Sequence, residues 1–229
     1  MSEPRLVEVR RKILKENDVL ARALRERFRA AGVRVISLVS SPGAGKTTLL
    51  ELLLTQLQPP HRVAALVGDL ATENDALRLA RSGAPVRQIT TGTVCHLDAG
   101  MVERALAGWR LEDLNFLFIE NVGNLVCPSS FDLGEDLRLL LVSTPEGEDK
   151  PLKYPTIFNT ADVAVITKLD LAVPCGVDLA ALERNIALVR PGIQIVEVSA
   201  RTGLGLDELR GLLTAGRELP EVAAGRSRA

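Results

Sequence analysis

At 229 residues, with 28 Lys+Arg against 29 Asp+Glu and a net charge of −1, the chain has room for one well-buried α/β core, since single cores grow to roughly 250 residues before splitting. It has no global positive field for gathering nucleic acid. No apolar run approaches the ~20 residues needed to cross a bilayer, and three widely spaced cysteines with no basic-plus-apolar leader fit a reduced compartment, so a cytoplasmic protein without nucleic-acid or membrane partners is expected.

Residues 6–31 are rich in Arg, Glu, Leu and Ala, with Val9, Ile13, Leu20, Leu24 and Phe28 near helical spacing. They predict an N-terminal helix, over 1–31, packed on the domain that follows. Apolar runs at 33–39, 63–67, 116–119, 137–142, 163–166 and 193–198 are strand candidates, and helices are expected near 46–58, 73–82, 97–108, 178–190 and 205–216. Continuous apolar strands alternating with helices mark an α/β domain over 32–217, with a mostly parallel central sheet and helices on both faces. The tail 218–229 is low in apolar residues and is expected to fray.

Between the first strand candidate and the helix at 46–58 stands Ser40-Ser-Pro-Gly-Ala-Gly-Lys-Thr47, the strand-loop-helix context of a phosphate-binding loop and of a P-loop NTPase. Ser41, Gly43, Ala44, Gly45, Lys46, Thr47 and Thr48 are the nucleotide-binding candidates. Glycines let backbone N–H groups close around phosphate oxygens, Lys46 supplies positive charge and the Thr47 hydroxyl can ligate Mg²⁺. Ser40 stands where the general pattern begins with Gly.

Carboxylates near strand ends are the further Mg²⁺ candidates: Asp69, Asp75 and Glu120. Glu120-x-x-Gly123 takes the place of the DxxG switch of GTPases, where a Gly N–H can meet the γ-phosphate. Lys46, Glu120 and Gly123 are therefore the catalytic candidates. Asp75 has an ordinary alternative, an i, i+3 ion pair with Arg78. No arginine finger or water-positioning Gln is evident, so slow turnover, roughly 10⁻⁴ to 10⁻² per second, is expected.

Thr91-Gly-Thr-Val-Cys-His-Leu-Asp-Ala99 places Cys95 and His96 side by side at the start of a predicted helix, whose N-terminus favours a thiolate. Cys127, seven residues after Glu120, is the third metal candidate, which puts metal and nucleotide sites on one loop. Structural zinc prefers four ligands, and Ni²⁺ often takes four in a plane. A fourth must be water or come from another subunit. The ordinary alternative is a set of buried bystanders. Cys175 lies apart and reads as structural.

Thr167-Lys-Leu-Asp170 follows the strand candidate 163–166, and Ser199-Ala-Arg201 follows 193–198. They resemble the NKxD and SA(K/R) elements of GTP-binding proteins, with Thr167 in place of Asn. One carboxylate can accept both the guanine N1–H and its exocyclic amine, so GTP is the expected substrate, held by Thr167, Lys168, Asp170, Ser199 and Ala200. A plain helix cap is the alternative for Asp170.

Together, Ser40–Thr47, Thr72-x-x-Asp75-Ala76, Cys95-His-Leu97, Glu120-Asn-Val-Gly-Asn124-Leu-Val-Cys127 and Lys150-Pro-Leu-Lys-Tyr-Pro155 resemble the HypB family, nickel-inserting GTPases of hydrogenase maturation, over about residues 10–215. The resemblance implies a GTP-dependent homodimer working with hydrogenase maturation partner proteins. In it Cys95, His96 and Cys127 hold Ni²⁺ or Zn²⁺ at the subunit interface, and Lys153 reaches the nucleotide of the other subunit. Symmetry would then supply the missing ligand. Some family members carry a Cys-rich or His-rich nickel segment, whereas this chain begins Met1-Ser-Glu-Pro-Arg5 and holds two histidines, so high-capacity storage is not expected. Related urease accessory GTPases use Cys-Pro-x-His, but Cys127-Pro128 is followed here by Ser-Ser-Phe. A urease-type nickel accessory GTPase, and a nucleotide-dependent dimerisation module with a structural zinc, are the alternatives carried forward. A nucleotide kinase is argued against by Lys168-Leu-Asp170 and the lack of an Arg-rich lid.

Overall fold

The computed structural model describes residues 5–69 and 74–216. The tail 218–229 and Thr72 of the Thr72-x-x-Asp75 element lie outside the described residues. Each expected strand forms within a residue or two of its apolar run: β1 (Arg34–Ser40), β2 (Val63–Asp69), β4 (Phe116–Glu120), β5 (Leu137–Ser143), β6 (Val163–Thr167) and β7 (Gln194–Glu197). A seventh, β3 (Val86–Thr90), joins them. All seven pair parallel, in the order β3-β2-β4-β1-β5-β6-β7.

Successive side chains of a strand point to opposite faces, so a continuous apolar run feeds two cores. Phe116 and Phe118 join Ile36, Leu38 and the leucines of α2 (Lys46–Leu57) and α8 (Leu206–Thr214) on one face. Leu117 and Ile119 turn to the other face, against α1 (Arg5–Ala31) and α4 (Ala99–Ala105). Further along that second face, Leu140, Val142, Ala164 and Ile166 meet α6 (Pro155–Thr160) and α7 (Leu179–Val189). The remaining helices, α3 (Asn74–Ala80) and α5 (Lys150–Lys153), are short.

The strand β3 carries no apolar run because it is an edge strand, and of its five residues only Ile89 is buried. The helices α5 and α6 were not expected from periodicity; each has a proline in its first turn, where the lost N–H has no helical partner anyway. The N-terminal helix packs through Ala21, Leu24 and Phe28, while Val9, Ile13 and Leu20 stay exposed. Among the described side chains, the core part of its apolar stripe lies in the second half. Polar contacts fix that half: Asn17 Nδ2 donates to Asp132 O at 2.9 Å, Asn17 Oδ1 accepts from Ala99 N at 2.8 Å, and Arg25 pairs with Asp132 at 2.7 Å.

From β1 the chain moves to β2, returns to insert β4 between them, then crosses to β5 on the other side of β1. Ligands of open parallel sheets bind beyond the carboxyl ends of strands at such a reversal. Ser40, Asp69, Glu120 and Thr167 close β1, β2, β4 and β6 there.

Candidate nucleotide site and metal centre

The phosphate loop turns between β1 and α2 on Gly43 and Gly45, whose φ angles of 76° and 96° are left-handed and favour glycine. Lys46, buried at the first position of α2, donates to Ser40 Oγ at 2.9 Å, and Ser40 Oγ donates to Ser41 O at 2.6 Å. The serine that replaces the pattern's first glycine thus supplies an acceptor for the loop lysine. Burial pushes the Lys46 ammonium down from its ordinary range, opposed by the charges of Glu120, Asp75 and Glu146.

A cavity of about 500 Å³ lies over this loop, lined by Lys46, Thr47, Asp69, Asp75, Glu120 and Gly123 among others. Thr47 Oγ1 donates to Glu120 Oε1 at 2.7 Å. The second oxygen, Glu120 Oε2, is buried with no hydrogen-bond partner. Burial raises the Glu120 carboxyl to about 7, against the hydrogen bond from Thr47 and the charge of Lys46. An orphaned carboxylate oxygen beside a loop threonine is a fit for a hard cation. Gly123 presses on the loop so closely that a Cβ there would stand 2.9 Å from Pro42 Cα. Asp75 lines the cavity without pairing with Arg78, which instead meets Glu51 at 2.7 Å; the i, i+3 alternative is not what forms.

A second cavity of about 420 Å³ shares Gly45, Thr48 and Lys168 with the first and is lined also by Ala44, Thr167, Asp170 and Ala200. Asp170 Oδ1 accepts from Ser199 Oγ at 2.6 Å and Oδ2 meets Arg201 Nε at 3.1 Å. The Ser199 bond, with Arg201 and Lys168 behind it, holds the carboxyl below its usual range. It is thus an ionised, oriented acceptor rather than a helix cap. Thr167 Oγ1 donates to Ala44 O at 2.7 Å, so a hydroxyl ties β6 to the phosphate loop where the family pattern has Asn. Lys168 takes a left-handed φ of 56° and lines both cavities. Lys153 lines neither; it projects from α5 and pairs with Asp149 at 2.6 Å.

Cys95, His96 and Cys127 come together with their ligand atoms within 4.8 Å of one another, the two Sγ atoms 3.1 Å apart. No fourth His, Cys, Asp or Glu joins them among the described residues. His96 Nδ1 is buried with no hydrogen-bond partner, and burial lowers its pKa against the pull of Asp98, keeping the imidazole in the neutral form that binds metal. Its ring lies against Phe131 with centroids 4.0 Å apart. The expected helix start is different, however: α4 begins at Ala99, capped by Asp98 accepting from Met101 N at 2.7 Å. Cys95 sits in a turn upstream of that helix. Cys175 is exposed, so it is no core residue.

Sequence reading passed over two side chains that join these sites. Asn121, buried beside Glu120, accepts from Leu97 N at 3.0 Å. Asn124 donates to Cys95 O at 3.2 Å. The usable signal was a polar pair inside an otherwise apolar stretch after a strand end.

The fold and the site define a P-loop NTPase whose loop after β4 brings Cys127 to Cys95 and His96 of the β3–α4 loop in a thiol and imidazole cluster. The family model described as "CobW/HypB/UreG, nucleotide-binding domain" matches residues 34–197. The chain belongs to the HypB family of hydrogenase maturation factors. It is 46% identical over 210 residues to the hydrogenase maturation factor HypB of Azotobacter vinelandii, covering 91% of this chain and 69% of that one. The structure of HypB from Helicobacter pylori, described as a complex with nickel, superposes with a TM-score of 0.82 at 40% identity, covering 86% of this chain and 93% of that one. HypB from Archaeoglobus fulgidus gives 0.80 at 38% identity, with 87% and 99% covered. No helix among the described residues is long and apolar enough to cross a membrane.

Proposed function

We propose that the chain binds and hydrolyses GTP and uses the nucleotide cycle to take up and release nickel or zinc, assisting nickel insertion into hydrogenase. One observation carries this reading: a single loop touches both sites. It leaves Glu120, which accepts from Thr47, passes Gly123 against Pro42 and ends in Cys127. On the way Asn121 binds Leu97 N and Asn124 binds Cys95 O. A loop rearranged by the γ-phosphate therefore reaches all three metal ligands. The nickel in the Helicobacter pylori relative supports the choice of cargo.

Thr47 and Glu120, with Asp69 and Asp75 facing the same cavity, would hold Mg²⁺, which when bound supplies charge neutralisation at the β- and γ-phosphate oxygens. Lys46 brings fixed positive charge to the same oxygens, Gly123 N–H meets the γ-phosphate, and Asp170 reads guanine. Two thiolates and an imidazole suit Ni²⁺ and Zn²⁺ alike, and a second subunit completes the ligand set. GTP-dependent dimerisation would bring Lys153, free of its own chain's cavities, to the partner's nucleotide.

The deciding experiment titrates Ni²⁺ and Zn²⁺ into protein loaded with GDP or a non-hydrolysable GTP analogue, recording stoichiometry and mass together. Metal affinity or stoichiometry should change with nucleotide, and Cys95→Ala or Cys127→Ala should abolish the change. Unchanged metal binding, with a dimer lost in Cys95→Ala, would instead establish a structural zinc staple.

A further inference from the structure

Arg78 stands one turn after Asp75 on α3 and lines the phosphate cavity with Lys46, Thr47, Glu120 and Gly123. Its Nε donates to Glu51 Oε2 at 2.7 Å, and Glu51 lies one turn after Thr47 on α2. The helix that presents the loop lysine and threonine thus also grips the arginine. A guanidinium offers five N–H donors in a planar fork. With Nε committed, the two terminal nitrogens make no hydrogen bond or ion pair among the described residues. Its charge is felt at Glu120, opposing the upward push of burial on that carboxyl.

The chemistry of the cavity calls for such a group. Charge builds on the equatorial oxygens of a transferring phosphoryl group, while Asp69, Asp75 and Glu120 already bring carboxylates to the same space. Lys46 is a single compact cation, whereas an anchored guanidinium presents two parallel N–H groups matched to two phosphate oxygens. As a mere fastener between α2 and α3 the pair would do little, because its side chains are 38% and 26% exposed and such ion pairs contribute little to stability.

We propose that Arg78 is a catalytic arginine supplied in cis, held through Nε by Glu51 and directing its terminal nitrogens at the γ-phosphate of the nucleotide bound by the same chain. The assignment rests on the GTP-hydrolysing reading above; the sequence pattern alone shows no arginine finger. In the step itself, the water oxygen bonds to the γ-phosphorus, the bond to the β–γ bridging oxygen breaks, and GDP leaves with that electron pair. The water proton ends on the released phosphate. Arg78 exchanges no proton and stabilises only the developing charge. Glu51 is a positioning residue, acting through Arg78.

The test compares Mg²⁺-dependent GTP hydrolysis, GDP affinity, thermal unfolding and capture of GDP with aluminium fluoride, a transition-state mimic, in wild type, Arg78→Ala, Arg78→Lys and Glu51→Gln. Arg78→Ala should lower kcat by about 10³-fold and lose aluminium fluoride capture, with GDP affinity and melting temperature nearly unchanged. Arg78→Lys should not restore the rate, since an ammonium cannot hold Glu51 and a phosphate fork at once. Glu51→Gln should lower kcat about tenfold while keeping capture measurable. Hydrolysis by Arg78→Ala within threefold of wild type overturns the proposal, as does a loss of GDP affinity and stability that fully accounts for the lost rate. A wild-type chain that binds GTP and never hydrolyses it overturns instead the reading underneath.

Discussion

Glu120 holds its proton to about pH 7 in the nucleotide-free fold, where burial outweighs Thr47 and Lys46. Unfolded, the same carboxyl titrates near 4.5. Between those values the native state binds a proton that the unfolded chain has released, so stability in the absence of metal falls as pH rises from about 4.5 to about 7, then levels. A shift of that size corresponds to about 3 kcal/mol. Thermal unfolding in chelator should therefore show wild type losing stability from pH 5 to 7, with Glu120→Gln flatter across the range and more stable at pH 8. A second consequence concerns binding. A divalent cation on the orphaned oxygen favours the charged carboxylate, so Mg²⁺-nucleotide should displace about half a proton at pH 7 and close to one at pH 6. Calorimetry in two buffers of different ionisation heat should detect that proton in wild type and miss it in Glu120→Gln.

In the proposed metal switch, the loops carrying Cys95 and Cys127 and the strand ends beside them form the element that matters. Leu97, fully buried, presents its N–H to Asn121 and packs so tightly on β2 that a Cβ on Gly68 would stand 2.8 Å from its side chain. The Cys95-His96-Leu97 turn is thereby clipped to the strand ends that carry Asp69 and Glu120. Asn121→Ala leaves the buried Leu97 N–H unpaired, costing about 1–3 kcal/mol. It should also uncouple the ligand turn from the switch loop. Metal affinity measured with GDP and with a GTP analogue should become equal while nucleotide affinity holds; a uniform weakening in both states would mean that the clip serves stability alone. The central strands were legible from their apolar runs, and the phosphate-loop and Asp170 candidates because they follow such runs at strand ends; the meeting of Cys95, His96 and Cys127 was anticipated from their side-chain chemistry, not from a strand end. What was not legible depends on partners distant in the chain. Periodicity shows which stripe of α1 is apolar but not that Val9, Ile13 and Leu20 stay largely outside the core while Ala21, Leu24 and Phe28 enter it. Edge exposure hid β3, and the local i, i+3 rule pointed Arg78 at Asp75 when Glu51 on a neighbouring helix was nearer.

Under the proposed switch the sheet is the fixed frame and the loop from Glu120 to Cys127 the moving part, so nucleotide and metal must report on each other. If the GTP state binds metal tenfold more tightly than the GDP state, the coupling is about 1.4 kcal/mol, and metal must tighten GTP over GDP by the same tenfold. The three candidate ligands of one chain would also leave a metal sphere unfinished. A twofold dimer brings two such clusters together, so under the proposed assembly metal affinity depends on protein concentration. Titrating metal at protein concentrations above and below the dimer midpoint, in each nucleotide state, separates the two sources of coupling. When the loop alone carries it, the GTP-to-GDP affinity ratio is the same at every concentration. When the second subunit completes the site, the ratio collapses toward one in the monomer. A ratio that falls in the monomer without reaching one is expected here, because the loop carrying Cys127 acts within one chain while the second subunit adds the missing ligand. Cys127→Ala should then bring the ratio to one at all concentrations, by removing the ligand through which the switch loop enters the site.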